Sequence, residues 1–434
     1  MPFSNLMLSQ KLQKTIQALG YTKPTPIQQQ AIPALREGRD ILAISQTGTG
    51  KSASFILPML ENLPQREEKR VGDDRYKIDA LILAPTRELV IQIHKSIERY
   101  SVEFTHKSVA LYGGVRLGGQ IKDIRAGANI AVATPARLLE HLKNRTINLS
   151  MVKIVVIDEA DRLLEMGFID DIKAIVSKLP SKRQSAMFSA TFPNSIMNLA
   201  KSLLKNPITI KIEGDISAKE IKQSAYYINE EQKSQFLISI LKEKKLKQTL
   251  VFVNTKRVAD ILVEKLKLEG INATAIHGDK SQNIRNQTLL EFKNGEIDVL
   301  IATDVVARGI DIKSLPLVIN FELPIKNEEY IHRIGRTGRA KESGEAISLI
   351  SAMEMEQFSS LEKLLDITIP TITTDGFNPN IKQKRKKSSK NIDDKSEKLK
   401  KAKELAQKMM QNSSKNKKSE KKSNYKTPRN RRHF

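Results

Sequence analysis

Lys51 and Ser52 end the stretch SQTGTGKS (45–52), and Asp158, Glu159 and Asp161 end the apolar run that opens IVVIDEADRLLEMGF (154–168). A glycine-rich turn between a strand and a helix points successive backbone amides at phosphate oxygens, and the helix N-terminus adds a favourable dipole. In that setting Lys51 reaches the β- and γ-phosphates of a nucleoside triphosphate and Ser52 ligates Mg²⁺. Asp158, at the end of a second parallel strand, has the position that holds the same Mg²⁺. Glu159, the next residue, suits a general base for the attacking water. Three carboxylates are tolerable there because a divalent cation and a polyanion share the site. Alone, a Gly-rich turn is an ordinary βα loop, and acidic residues are common at solvated helix N-termini. Two complementary halves of a phosphate site, in the right order, favour the nucleotide reading, although Ser45 stands where the general pattern has glycine.

A second group of residues suits anions of another kind. HRIGRTGR (332–339) spaces Arg333, Arg336 and Arg339 three apart in a glycine-punctuated segment, a presentation suited to bidentate phosphate contacts. PTREL (85–89), the glycine pair Gly113–Gly114 and TPAR (134–137) combine small hydroxyls, close-approach glycines and arginines. Such groups grip a sugar-phosphate track without reading bases. Aromatic residues make up 5% of the chain and form no stacking strip among these motifs, so sequence-independent binding is expected.

These residues need rigid strands to carry them. Apolar strand-like runs alternate with amphipathic helical patterns, which predicts βαβ units and parallel sheets. The first set of strands is DILAIS, ALILAP, SVALYG, NIAVAT, KIVVID and SAMFSAT; the second is QTLVFVN, ATAIHG, DVLIATD, PLVINFE and GEAISLI. The segment between the sets carries no strong core pattern. The expected organisation is therefore an α/β domain over 1–208, a linker over 209–222, a second α/β domain over 223–370 and a tail over 371–434. Only the first domain has a phosphate-loop candidate.

Composition narrows the setting. The 434 residues are 39% hydrophobic, enough to bury a core in each of two domains. Cysteine is absent, which excludes disulfides, zinc-thiolate sites and thiol nucleophiles and fits a reducing compartment. The N-terminus lacks a signal-peptide core and no run reaches the roughly 18 apolar residues of a membrane span, so a cytoplasmic protein with no membrane partner is expected. Of the net charge of +24, residues 380–434 hold +16 (21 Lys or Arg against 5 Asp or Glu), leaving +8 for the first 379. That tail has too few apolar residues to offset the entropy of ordering and is expected to be disordered, with one stretch, SEKLKKAKELAQKMM, spaced for a transient helix.

Asp158-Glu159-Ala160-Asp161 spells the signature of the DEAD-box ATP-dependent RNA helicases, and further motifs that resemble that family's occur in order over residues 3–339. The resemblance implies two tandem RecA-like domains, ATP and Mg²⁺ as cofactors, and single-stranded RNA and short RNA duplexes as partners. GYTKPTPIQ looks like the adenine-recognising Q motif, with Gln28 on the adenine edge, Tyr21 on its face and Phe3 upstream. Ser45, Gln46, Thr47, Gly48, Thr49, Gly50, Lys51 and Ser52 then form the ATP loop, with Asp311 on the ribose. Arg336 and Arg339 become arginine fingers and His332 a bridge to Asp161 and the SAT segment (Ser189, Thr191) that couples hydrolysis to strand opening. Pro85, Thr86, Arg87, Gly114, Thr134, Arg137, Arg285 and Thr303 correspond to RNA contacts; Arg285 and Arg308 also fit a solvated or interdomain role. The family usually has Ala at 45, Thr at 52 and Gly at 136, where this chain has Ser45, Ser52 and Ala136; Ser52 keeps the hydroxyl for Mg²⁺. A compact core with a short basic tail resembles the bacterial RhlE-like group, which implies a monomer working with ribosome-assembly or RNA-decay complexes. An ATP-gated RNA clamp or annealing chaperone, and a DNA helicase of the same superfamily, are the alternatives.

Overall fold

The computed structural model describes residues 2–45, 49–65, 76–212, 221–244, 247–304, 315–327, 329–337, 344–374 and 377. Gln46, Thr47, Gly48, Arg308, Asp311, Arg339 and the basic tail from 378 onward therefore lie outside the described residues.

Among the described residues, fourteen strands form two seven-stranded sheets, and every pairing is parallel. The first sheet contains β1 (Ile41–Ile44), β2 (Ala80–Leu83), β3 (Ser108–Leu111), β4 (Ile130–Ala133), β5 (Ile154–Ile157), β6 (Gln184–Ser189) and β7 (Ile208–Lys211), in the order β3-β4-β2-β5-β6-β1-β7. The second contains β8 (Lys222–Tyr227), β9 (Thr249–Val253), β10 (Ala273–Ile276), β11 (Val299–Thr303), β12 (Leu317–Asn320), β13 (Glu345–Ile350) and β14 (Thr371–Ile372), in the order β10-β11-β9-β12-β13-β8-β14. Numbered within each half, the two orders are the same, as in the tandem RecA-like architecture expected.

Continuous apolar runs make these strands because both faces of a parallel sheet are covered by crossover helices. Side chains alternate between the faces. In β5, Ile154 and Val156 join one core with Leu89, Ile93 and Ile97 of the helix Arg87–Tyr100. Val155 and Ile157 join the opposite core with Leu163, Ile172 and Leu199. The second sheet is covered in the same way, with Val251 and Ile319 on one face and Leu250 and Val318 on the other.

The expected domain limits need correction. Residues 208–211, assigned to the linker apart from the first, pair with β1 at the sheet edge. Only Ile210 of that strand is buried, so an edge strand with one covered residue left too weak an apolar signal to read. Lys222 likewise opens β8 rather than ending the linker. At the other end, Thr371 and Ile372 pair with β8, and Phe377 packs against Phe236 with ring centroids 5.1 Å apart.

Candidate functional site

The parallel strands bring their C-terminal ends to one edge of each sheet, where ligands of open α/β sheets bind. After β1, Gly50 takes the left-handed conformation (φ 92°) and caps the helix Lys51–Asn62, so Lys51 begins that helix. Its Nζ is buried and donates to the Ser45 carbonyl at 3.1 Å. Ser45 Oγ and Thr49 Oγ1 lie 2.7 Å apart, bracing the two ends of the loop. Ser52, one residue into the helix, is half-buried.

After β5 the chain turns through Glu159, a non-glycine residue at φ 50°. Such a conformation costs on the order of 1–3 kcal/mol and persists where the surroundings over-determine it. Asp158 is buried and its carboxylate accepts from the Glu159 amide at 2.9 Å. Burial raises the pKa values of Asp158 and Glu159, and Lys51 is the largest influence opposing it for each. Arg336 also pulls Glu159 down, across from the second half of the molecule. Two desolvated carboxylates facing one lysine have an electrostatic deficit that a bound cation would fill. Among the described residues no three His, Asp or Glu side chains form a metal cage. A carboxylate and a hydroxyl, Asp158 and Ser52, are instead the hard-oxygen pair that suits Mg²⁺ carried in with nucleotide phosphates.

Asp161 links this turn to the end of β6. Its Oδ2 accepts from the Ala190 amide (3.0 Å), the Thr191 amide (2.9 Å) and Thr191 Oγ1 (3.0 Å). Burial works against its ionised form, but Lys51, His332 and the Thr191 hydrogen bonds outweigh burial and lower its pKa. Ser189 is fully buried; its carbonyl accepts from the Ser45 amide at 2.9 Å, which ties the SAT segment to the phosphate loop. A cavity of about 500 Å³ is lined by Glu159, Asp161 and Thr191 from the first half and by His332 and Arg336 from the second. The structure thus brings together residues more than 130 positions apart in sequence.

The Q-motif residues take different positions. Gln28 closes a capping box at the helix Pro26–Arg36, its Oε1 accepting from the Thr25 amide at 3.0 Å. Its Nε2 donates to the Gly50 carbonyl at 3.1 Å, so the amide braces the phosphate loop directly. A Cβ on Gly50 would lie 2.5 Å from that nitrogen. Tyr21 is half-exposed and its hydroxyl accepts from Tyr100 at 3.4 Å. Phe3, expected at the nucleotide, lies in the N-terminal 3₁₀ turn and is packed in the first domain's core.

Among the residues expected at RNA, Thr86 and Thr134 occupy the N-cap positions of the helices Arg87–Tyr100 and Pro135–Lys143. Pro85 precedes the first of these and Thr303 ends β11. The Arg87 guanidinium lies against the glycine pair, where a Cβ on Gly114 would press on its Nη1, and the φ of 82° at Gly114 favours glycine. Two expected contacts are corrected. Arg137 is buried, with Nη2 donating to the Val115 carbonyl at 3.1 Å. Arg285 is buried too, in an ion pair with Glu88 at 2.9 Å. Arginine in a motif signals a charge to be met, and here the protein meets both. Arg333 is likewise a structural residue, fully buried and bidentate on Asp304 at 2.6 Å.

The sequence reading missed the acidic partners. Glu88 also accepts from Gln282 Nε2 at 3.1 Å, and Glu329 meets Arg162 at 3.3 Å. Each pair joins a first-half helix to a second-half helix, and the charge of Arg162 directly after the DEAD signature was the available signal.

Comparison with known proteins agrees with this geometry. Residues 25–199 match the DEAD/DEAH box helicase family and residues 232–341 the helicase conserved C-terminal domain. The chain is 39% identical over 376 residues to the DEAD-box ATP-dependent RNA helicase RhpA of Helicobacter pylori, covering 85% of this chain and 75% of that one. It is 37% identical to the ATP-dependent RNA helicase DeaD of Escherichia coli, covering 85% of this chain but 58% of the relative's length. Among solved structures it resembles Dbp5 of S. cerevisiae bound to RNA and ADP BeF3, with a TM-score of 0.76 and 32% identity, covering 86% of this chain and 96% of Dbp5. The chain belongs to the DEAD-box family of ATP-dependent RNA helicases.

Proposed function

We propose that the chain hydrolyses ATP between its two halves and uses the closed state to separate short RNA duplexes, with its site residues in specific roles. Lys51 binds the phosphates, Glu159 takes the proton of the attacking water, and Arg336 contacts the γ-phosphate from the second half. Asp158 and Ser52 would hold Mg²⁺, which neutralises developing charge on the transferred phosphoryl group. Asp161, held by Thr191 and facing His332, carries closure at the phosphates to the SAT segment. Arg87 and the Gly113–Gly114 loop hold the RNA backbone. Gln28 sets the phosphate loop while Tyr21 offers a face to the adenine.

One observation carries this reading. Glu159, its pKa raised by burial, and Arg336 line the same cavity, so the two halves bring the proposed base and the charge-stabilising arginine together. Structures of RNA-bound relatives support RNA as the partner. A cytoplasmic setting, a monomeric state and the narrower RhlE-like placement, with its ribosome-assembly or RNA-decay partners, belong to the same proposal. The decisive test is Glu159→Gln. ATP should still bind and the protein should stay clamped on RNA in its presence, while release from wild type follows hydrolysis. Equal release rates would remove Glu159 as the base. Comparing RNA and DNA as stimulators of ATP hydrolysis separates an RNA from a DNA helicase, and multiple-turnover strand separation separates a helicase from a clamp.

A further inference from the structure

Behind the glycine pair runs a chain of buried and partly buried hydrogen bonds that takes no part in the nucleotide site. Gln120 Nε2 donates to the Tyr112 carbonyl at 3.0 Å, and Arg137 Nη2 donates to the Val115 carbonyl at 3.1 Å. These two carbonyls flank Gly113 and Gly114, so the loop is held from both sides. Gln120 Oε1 in turn accepts from Arg137 Nη1 at 3.4 Å and faces His141 Nε2 at 3.0 Å. An amide oxygen only accepts, so His141 carries its proton on Nε2. His141 Nδ1 lies 2.8 Å from Thr146 Oγ1, whose hydroxyl can donate to it. His141 is completely buried, and burial with the nearby Arg137 lowers its pKa to about 4, so at neutral pH it keeps the single-proton form this pattern needs.

We infer that His141 is a positioning residue for RNA binding, whose Nε2–H fixes the Gln120 amide so that Gln120 and Arg137 together hold the Gly113–Gly114 loop open to the RNA backbone. The polarity of the amide makes this role specific. Without a donor at position 141 the Gln120 oxygen keeps only the long Arg137 Nη1 contact at 3.4 Å, so the amide is held less firmly against the Tyr112 carbonyl. A φ of 82° at Gly114 and the close approach of Arg87 leave that loop little room to shift and still present the same surface. Arg137 thereby acts on RNA through the loop it braces, which accounts for an arginine in the TPAR motif being buried. The inference rests on the reading of Arg87 and the glycine loop as the RNA-backbone grip.

The test is RNA-stimulated ATP hydrolysis by the full chain as a function of RNA concentration. His141→Phe keeps a planar ring, a somewhat larger one, and removes the donor. Loss of one buried hydrogen bond should raise the half-saturating RNA concentration roughly tenfold, while the ATP KM and the turnover at saturating RNA stay within about twofold. His141→Gln restores a donor near the Nε2 position and should recover most of the RNA affinity, which a purely packing role would not allow. Unchanged RNA half-saturation in His141→Phe overturns the inference, as does an equal loss in both variants. Arg87→Ala distinguishes failure of the grip from failure of the brace. If it too leaves RNA half-saturation unchanged, the RNA-grip reading fails and takes the inference with it; if it weakens RNA binding while His141→Phe does not, only the positioning role falls.

Discussion

Lys51 and Lys233 begin the helices that follow the first strands of two sheets with the same strand order, yet they have opposite environments. Lys51 donates to the Ser45 carbonyl and is the largest influence opposing burial on Asp158 and Glu159, at the site proposed for phosphate. Lys233 is fully buried; it donates to the Phe321 carbonyl at 3.1 Å, directly after β12, and to Glu354 Oε2 at 2.5 Å. Position for position, Phe321 follows the fifth strand of its sheet as Asp158 follows the fifth strand of the other. Glu354 is further held by the Leu323 amide and by the Ser351 amide and hydroxyl. In the second half the protein's own carboxylate thus takes the place a phosphate would have. One topology can therefore make a ligand site or a structural staple, depending on whether the anion opposite the lysine comes from outside or from the chain. It also fits the proposal that the second half supplies Arg336 to a shared nucleotide rather than binding one of its own.

The contrast between the halves is tested most severely at the fingers. Arg336→Ala should lower RNA-stimulated ATP hydrolysis by roughly 10³-fold, the lower range for finger arginines, with both halves still folded by circular dichroism; near-wild-type turnover would mean that the second half contributes no charge to the reaction. Lys51→Ala should cost about 10²-fold or more in turnover, measured with ATP and RNA both saturating. Lys233→Met isolates the staple, because it should leave nucleotide affinity intact. Removing one partner of a buried pair should instead cost about 3–5 kcal/mol of stability, read from a denaturant midpoint. A large loss of ATP binding in that variant would contradict the staple role.

Acid provides a finer probe. Burial works against the Glu354 carboxylate, but Lys233 and the hydrogen bonds it accepts outweigh burial and lower its pKa below the ordinary 4.5. A lowered folded-state pKa means that the pair's stabilisation is complete above 4.5 and is lost as pH falls through the folded value. The stability gap between wild type and Glu354→Gln should therefore be constant near neutrality and close at strongly acid pH; a gap that widened on acidification would refute the pairing. The smallest expected effect is that of the basic tail. Removing residues 380–434 should flatten the salt dependence of RNA affinity by roughly 0.7 for each phosphate the tail neutralises, and parallel salt titrations would show the tail to be uninvolved.

Much of this was legible in the order of the residues alone. The glycine-lysine-serine ending after an apolar strand, the carboxylates after another and the paired sets of strands are local patterns, and local patterns report local geometry: a strand that ends, a turn that needs glycine, a helix that begins. Hence the two-sheet fold, the helix that Lys51 begins and the turn through Asp158 and Glu159 followed from spacing, whereas the roles expected of Asp161 and Gly114 came with the family resemblance. The edge strand β7 did not, because a single buried residue, Ile210, leaves almost no period to detect.

What only the tertiary structure decided was which charges are answered by the chain itself. Arg162 meets Glu329 across 167 positions, Gln282 meets Glu88 across 194 and Lys233 meets Glu354 across 121. No window of sequence contains both partners. An arginine or lysine in a motif looks the same whether its counter-ion is a phosphate or a distant glutamate, because the residue type records the need for an anion and not its source. Arg285 and Lys233 were settled by the distant carboxylates that the fold placed opposite them, whereas Glu159 was left lining a cavity with Arg336, and chemistry follows from that difference.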